Sequence, residues 1–226
     1  MPTRSMLDTL TGATYIPEPD QKVRMTNVSA DSSIKPAPVV ELVYGNVRVV
    51  PYNAILDTQA DAFLSYMWKR LQKDDLVEYY WPGQKETGFA TFVRMMSGDA
   101  QVALVLTDSD SGQWDQTVAG FISWTPSRMG AADVIIAGFI FFREFWNHKT
   151  TDNAGAASFR YWFTETPTEV ILGVCPSTHT VALRYNKRIG LHEVGRIPKG
   201  HMCKGQACDA VLVAITKEEW QAREDK

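Results

Sequence analysis

The sequence is short of several things, and each shortage excludes a class of protein. It has three cysteines in 226 residues, Cys175, Cys203 and Cys208. A low, odd count excludes a disulfide-built scaffold and fits a reducing compartment. Positive charge is not in surplus, because the formal net charge is −3. That argues against the basic footprint of a nucleic-acid-binding chain. No apolar run approaches the ~20 residues of a membrane-spanning helix. The opening "MPTRSMLDTLTG" has no apolar core of signal-peptide length. Internal repeats are lacking, and so is a second cysteine or histidine pair that would complete the C-x4-C of Cys203 and Cys208 into a structural zinc set. His201, Cys203 and Cys208 lie close together in "HMCKGQAC", but Asp209 is the only near fourth ligand, so no metal is expected. The expectation is a soluble cytoplasmic protein that engages neither nucleic acid nor membrane.

What is present is ordinary globular material. Apolar residues make up 45% and charged residues 22%, which suits one domain of ordinary size plus a tail. Residues 1–38 supply the tail. They are rich in Ser, Thr, Asp and Pro, end in "SIKPAP", and follow neither a helical nor a strand period. The division is an extended polar arm, 1–38, and a domain, 39–226. From Val39 the pattern reads strand, "YGN" turn, strand. "LDTQADAFLSYMWKRLQ" then puts Leu56, Ala60, Phe63, Leu64, Met67 and Leu71 on one helical face. A second short helix covers "TGFATFVRMMSG", and "QVALVLTDSDSGQWDQTVAGFISW" reads as a hairpin. "DVIIAGFIFFREF" is a long apolar strand, expected to be central and buried on both faces. A loop and helix follow, to about Thr164, and then the strand "TEVILGVC". "TVALRYNKRIG" is a helix that Gly190 would end. "HEVGRIP" and "ACDAVLVAIT" are the last strands, before "KEEWQARE" closes the chain.

The C-terminal half carries a spaced motif. "HTVALRYNKRIGLHEVG" holds Ala182, Arg184, Arg188, Gly190, Glu193 and Gly195, and the chain closes on "GQACDAVLVAITKEEW". With the element order, this resembles the GNAT superfamily of N-acetyltransferases, in particular its ribosomal-protein-acetylating branch. Leu191 stands where that branch usually has Phe. The resemblance implies an α/β (α+β) fold: a mixed, mostly antiparallel central sheet, flanking helices, and a splayed pair of strands at the cofactor cleft. It implies acetyl-CoA as cofactor, no metal, and an amine acceptor, either a small amine or a protein N-terminus or lysine.

In that family the helix after the central strand opens with Gln/Arg-x-x-Gly-x-Gly/Ala, whose backbone N–H groups bind the pyrophosphate. Two registers fit "FWNHKTTDNAGAASFRYWF". The literal one uses Gly155 and Ala157 and leaves a helix of only about two turns before Pro167. The gap-free one counts back from the C-terminal motif. It puts Trp146 on the family's usual Trp and Lys149 and Thr151 on the small-residue positions, with a helix of normal length from Thr151 to Phe163. The second is preferred. It assigns Asn147, His148, Lys149, Thr150, Thr151 and Asp152 to the phosphate position, with His179 and Arg184 as further cofactor contacts. Asp152 in the first turn repels a pyrophosphate and stabilises an empty helix end. The loop therefore suits a plain turn as well as a cradle.

Acyl transfer to an amine needs a base and, commonly, an acid for the leaving thiolate. Candidate bases are Glu144 and His179. Candidate acids are Ser177 and Tyr185, the family's usual Tyr position being Asn186 here. Each has a plain alternative: a solvated strand end for Glu144, a helix start for His179, a core aromatic for Tyr185. Tyr79, Tyr80 and Trp81 either shape the acceptor groove or pack the domain edge. Beside an acetyltransferase stands a second class: a degenerate, non-catalytic protein of the same shape, resembling some phage head-assembly proteins. In that case residues 1–38 would anchor a virion partner or a second copy, and the protein would be virion-associated. A third option is a CoA-binding regulator.

Overall fold

Period-two apolar patterning in the strands builds one sheet with helices on both faces. The computed structural model describes residues 42–52, 60–80, 88–97, 101–107, 117–146 and 149–225. The 1–38 arm, Leu56, Trp81, Asn147 and His148 lie outside them. The elements are β1 (Leu42–Tyr44), β2 (Val47–Pro51), α1 (Ala60–Lys73), α2 (Val77–Tyr80), α3 (Gly88–Ser97), β3 (Gln101–Thr107), β4 (Thr117–Met129) and β5 (Ala132–Phe141). A 3-10 turn, Arg143–Phe145, leads to α4 (Lys149–Glu165) and β6 (Val170–Pro176). Then come α5 (Thr180–Ile189), β7 (His192–Cys203), β8 (Gln206–Thr216) and α6 (Lys217–Glu224).

The eight strands lie in the order β1-β2-β3-β4-β5-β6-β8-β7. Every neighbouring pair is antiparallel except β5 and β6, which α4 connects as a crossover. This is the mixed, mostly antiparallel sheet expected. Alternation along β3 divides the core. Ala103 and Val105 join the cluster under α4, with Phe159, Trp162 and Phe163, while Val102, Leu104 and Leu106 join the cluster under α1–α3. On α1, Leu64, Met67 and Leu71 are buried at helical spacing, as expected. Each such side chain contributes roughly 1.5–3 kcal/mol of burial.

The sheet splits between β5 and β6. They pair only at Val134–Ile136 with Val170–Leu172. Beyond that, β5 stays with β4 to Phe141, and β6 stays with β8 to Pro176. The splayed pair expected from the resemblance is therefore present. It also corrects the reading of β5 as buried on both faces: Ala137 to Phe139, beyond the last paired residue, are only half-buried because β6 has left their flank.

Two boundaries differ from the sequence reading for tertiary reasons. β5 stops at Phe141 because Asp74, after α1, accepts the Arg143 N–H at 2.7 Å and turns the chain. β7 runs on to Cys203 through a register shift between Ile197 and His201. "HMCKGQAC" is thus mostly hairpin, turning at Lys204 (φ 52°) and Gly205 (φ 75°).

Candidate functional site

The gap between β5 and β6 exposes one edge of β5. Phe142 N–H donates to Ala119 O on β4. Backbone groups alternate sides along a strand, so those of Phe139 and Phe141 point the other way, into the gap. Side chains take the place of a neighbouring strand there. The Tyr80 hydroxyl donates to Phe139 O at 2.9 Å, and the Trp146 indole N–H donates to Phe141 O at 3.0 Å. The edge therefore offers N–H groups to the gap while its two carbonyls are bonded from within the chain.

One end of the gap is the start of α4. This helix begins at Lys149 and ends at Glu165, two residues beyond the expected Thr151–Phe163 at each end, so Gly155 falls on its second turn. Gly155 has a packing cause. A Cβ there would sit 2.8 Å from the Tyr185 hydroxyl and 3.0 Å from Ile189 Cγ2. Glycine lets α4 approach α5 closely. The Tyr185 hydroxyl in turn donates to Thr151 O at 3.0 Å. Lys149 is exposed and Thr150 is buried, its hydroxyl receiving the Asn46 amide at 3.3 Å. Asn153 donates to the same Asn46 at 3.1 Å, which pins the β1–β2 turn to the first turns of α4. Asp152 accepts from Arg188 at 2.7 Å, an ion pair between α4 and α5. Its negative charge at the helix start is thereby offset.

Tyr80, Phe139, Phe141, Trp146, His179 and Tyr185 wall the cleft, with Thr151 and Arg188 at the α4 end. Its enclosed volume is about 30 Å³, and the rest of the slot opens to solvent. His179 is buried ahead of α5, stacked on Tyr79 at 3.9 Å and tilted against Trp146 at 5.8 Å. Burial, helped by Arg143, pushes its pKa down to about 4, so the imidazole is neutral at pH 7. Burial pushes the Tyr80 and Tyr185 phenols up, which keeps both protonated. It also pushes the Cys175 thiol up to about 12 and makes it inert.

Of the residues named from sequence, the cleft brings together Thr151, His179 and Tyr185. Glu144 is held in an ion pair with Arg70 at 2.6 Å and does not line it. Ser177 lies in the turn after β6, its N–H bonded to Asp209 O. Arg184 faces outward on α5. Sequence reasoning missed Arg188 as a cleft residue, although it lies in the C-terminal motif. No side-chain signal in the sequence singles out Phe139 and Phe141 as the residues whose backbone faces the gap. Among the described residues, no group of three or more His, Cys, Asp or Glu is placed to hold a metal ion. No helix among them is long and apolar enough to cross a membrane.

No protein-family model matches the sequence, and no curated protein does. Solved structures do match in shape. A probable GNAT-family acetyltransferase from Chromobacterium violaceum superposes with a TM-score of 0.64 at 17% identity, covering 90% of this chain and 99% of that one. Spermidine N-acetyltransferase from Vibrio cholerae, solved with CoA and spermine, gives 0.60 at 10% identity, covering 78% and 98%. RimL, a ribosomal-protein α-N-acetyltransferase solved with CoA, gives 0.60 at 11% identity, covering 78% and 98%. These likenesses show the GNAT fold. The virion-assembly alternative finds no support in them.

Proposed function

We propose that the protein is an acetyl-CoA-dependent N-acetyltransferase. The observation that carries this reading is the parting of β5 from β6 after Ile136 and Leu172, which turns a central strand edge into the wall of a cleft. The CoA-bound state of the two similar enzymes supports it. The residues present fit such a cofactor. A slender, amide-bearing arm matches an aromatic slot with a backbone edge. The start of α4, with Lys149 and Arg188 nearby, suits its phosphates. When bound, the cofactor supplies the activated acyl group. The N–H groups of Phe139 and Phe141 are the donors available to an acyl oxygen that gains negative charge. Neutral His179 can accept a hydrogen bond from the attacking amine, whose proton is passed on to the departing thiolate, and the protonated phenol of Tyr185 holds the first turn of α4 in place. The acceptor is an amine: a protein N-terminus by analogy with RimL, or a lysine as the sequence resemblance implies. Residues 1–38 are proposed to engage a partner or a second copy.

The test is calorimetry with acetyl-CoA, followed by thiol release across a panel of amines and N-terminal peptides. Binding with amine-dependent thiol release supports the reading. No binding at millimolar acetyl-CoA overturns it, and binding without release reduces it to a CoA-binding regulator.

A further inference from the structure

The Tyr80 hydroxyl that caps Phe139 O comes from α2, a single helical turn outside the sheet. We propose that Tyr80 is an internal competitor for the cofactor's amide arm. Its hydroxyl occupies the β5 carbonyl that an entering amide N–H must take, so binding requires Tyr80 to let go. This rests on reading the cleft as a CoA site.

Three observations carry it. First, the contested group is on the edge that β6 abandons, and the Tyr80 ring is itself part of the cleft wall. A buried carbonyl needs a partner whether or not a ligand is there, and Tyr80 supplies one from within the chain. Second, burial keeps the phenol protonated, so it donates throughout the physiological pH range. Third, α2 is anchored in the core at its start, by Val77 beside Leu76, while contacts near the protein surface help to place it. Asp75, in the turn before it at φ 55°, pairs with Lys204 at the β7–β8 turn, and both side chains are substantially exposed. Exposed pairs of this kind contribute little. Lys204 also lies over the Tyr79 ring at 5.9 Å, and Tyr79 stacks on His179. A one-turn helix has no stability of its own, so its position depends on tertiary contacts, Val77 in the core and Lys204 and Tyr79 towards the surface. The hairpin tip, α2 and the cleft wall are thus one connected series of contacts.

The experiment titrates CoA, pantetheine and adenosine 3′,5′-bisphosphate into the wild-type protein and Tyr80→Phe by calorimetry. Removing the hydroxyl leaves Phe139 O unpartnered in the ligand-free protein and available to the ligand. CoA and pantetheine should therefore bind the variant about three- to tenfold more tightly, the worth of one net hydrogen bond. The bisphosphate lacks the amide arm and should bind both proteins equally. Equal or weaker CoA affinity in Tyr80→Phe overturns the competitor while leaving the cofactor site standing. A gain that extends equally to the bisphosphate also overturns it. No CoA binding by either protein overturns the cofactor reading and the competitor together. Should Tyr80→Phe fail to fold, Lys204→Met decides: it loosens α2 without touching the cleft, and CoA affinity must rise; unchanged affinity overturns the proposal.

Discussion

At the scale of the residue, His179 is the group whose environment departs furthest from water with a consequence for stability. Folded, it titrates near 4, because burial and then Arg143 oppose its charged form. Unfolded, it titrates near about 6.5. The unfolded chain therefore binds more protons between these values. The contribution is complete above about pH 6.5 and is lost as pH falls toward 4, a change on the order of 3 kcal/mol. Urea midpoints between neutral pH and pH 4 should fall in the wild type and fall less in His179→Gln. Parallel slopes for the two proteins would refute the assignment. The role of His179 was half legible in sequence. Its place at the head of a helix could be read from the motif. Its stack on Tyr79 could not, because the two residues are far apart in the chain and only tertiary packing joins them.

At the scale of the element, the close approach of α4 to α5 explains a glycine that looks like a phosphate-binding residue. Gly155 lies against the Tyr185 hydroxyl, which cannot retreat without breaking its bond to Thr151 O. Gly155→Ala gains roughly 1 kcal/mol of helix propensity and loses about 1–3 kcal/mol to overpacking. A net loss of about 1 kcal/mol is expected in chemical denaturation, and a smaller loss in a Tyr185→Phe background. Additive penalties in that cycle would mean the two residues do not compete for space. The first turn of α4 has its own test. Lys149→Glu reverses a charge where the cofactor's phosphates are proposed to lie, and should weaken acetyl-CoA binding by about tenfold. Unchanged affinity would mean that the phosphates lie elsewhere. The register of α4 was legible because the C-terminal motif could be counted back without a gap. The reason for Gly155 was not, because it depends on a ring from another helix.

At the scale of the molecule, element order and strand patterning were largely legible. Alternation along the strands and the spaced motif after β6 both report local structure, and local structure is what periodicity carries. The site was less legible. Its proposed working surface is backbone, at Phe139 and Phe141, uncovered where β6 turns toward β8. Among the described residues, both apolar clusters are built from residues 42–220. If residues 1–38 are the separate arm proposed, deleting them should leave the melting temperature nearly unchanged, and a fall of many degrees would show that they pack on the domain. The account's central claim is that the freed edge of β5 is a ligand-binding surface. Amide hydrogen exchange at Phe139 and Phe141, measured with and without saturating acetyl-CoA, tests it most directly. Slower exchange at both amides on addition of acetyl-CoA is the predicted result. Exchange that stays the same at both, with the cofactor in excess, would contradict the claim.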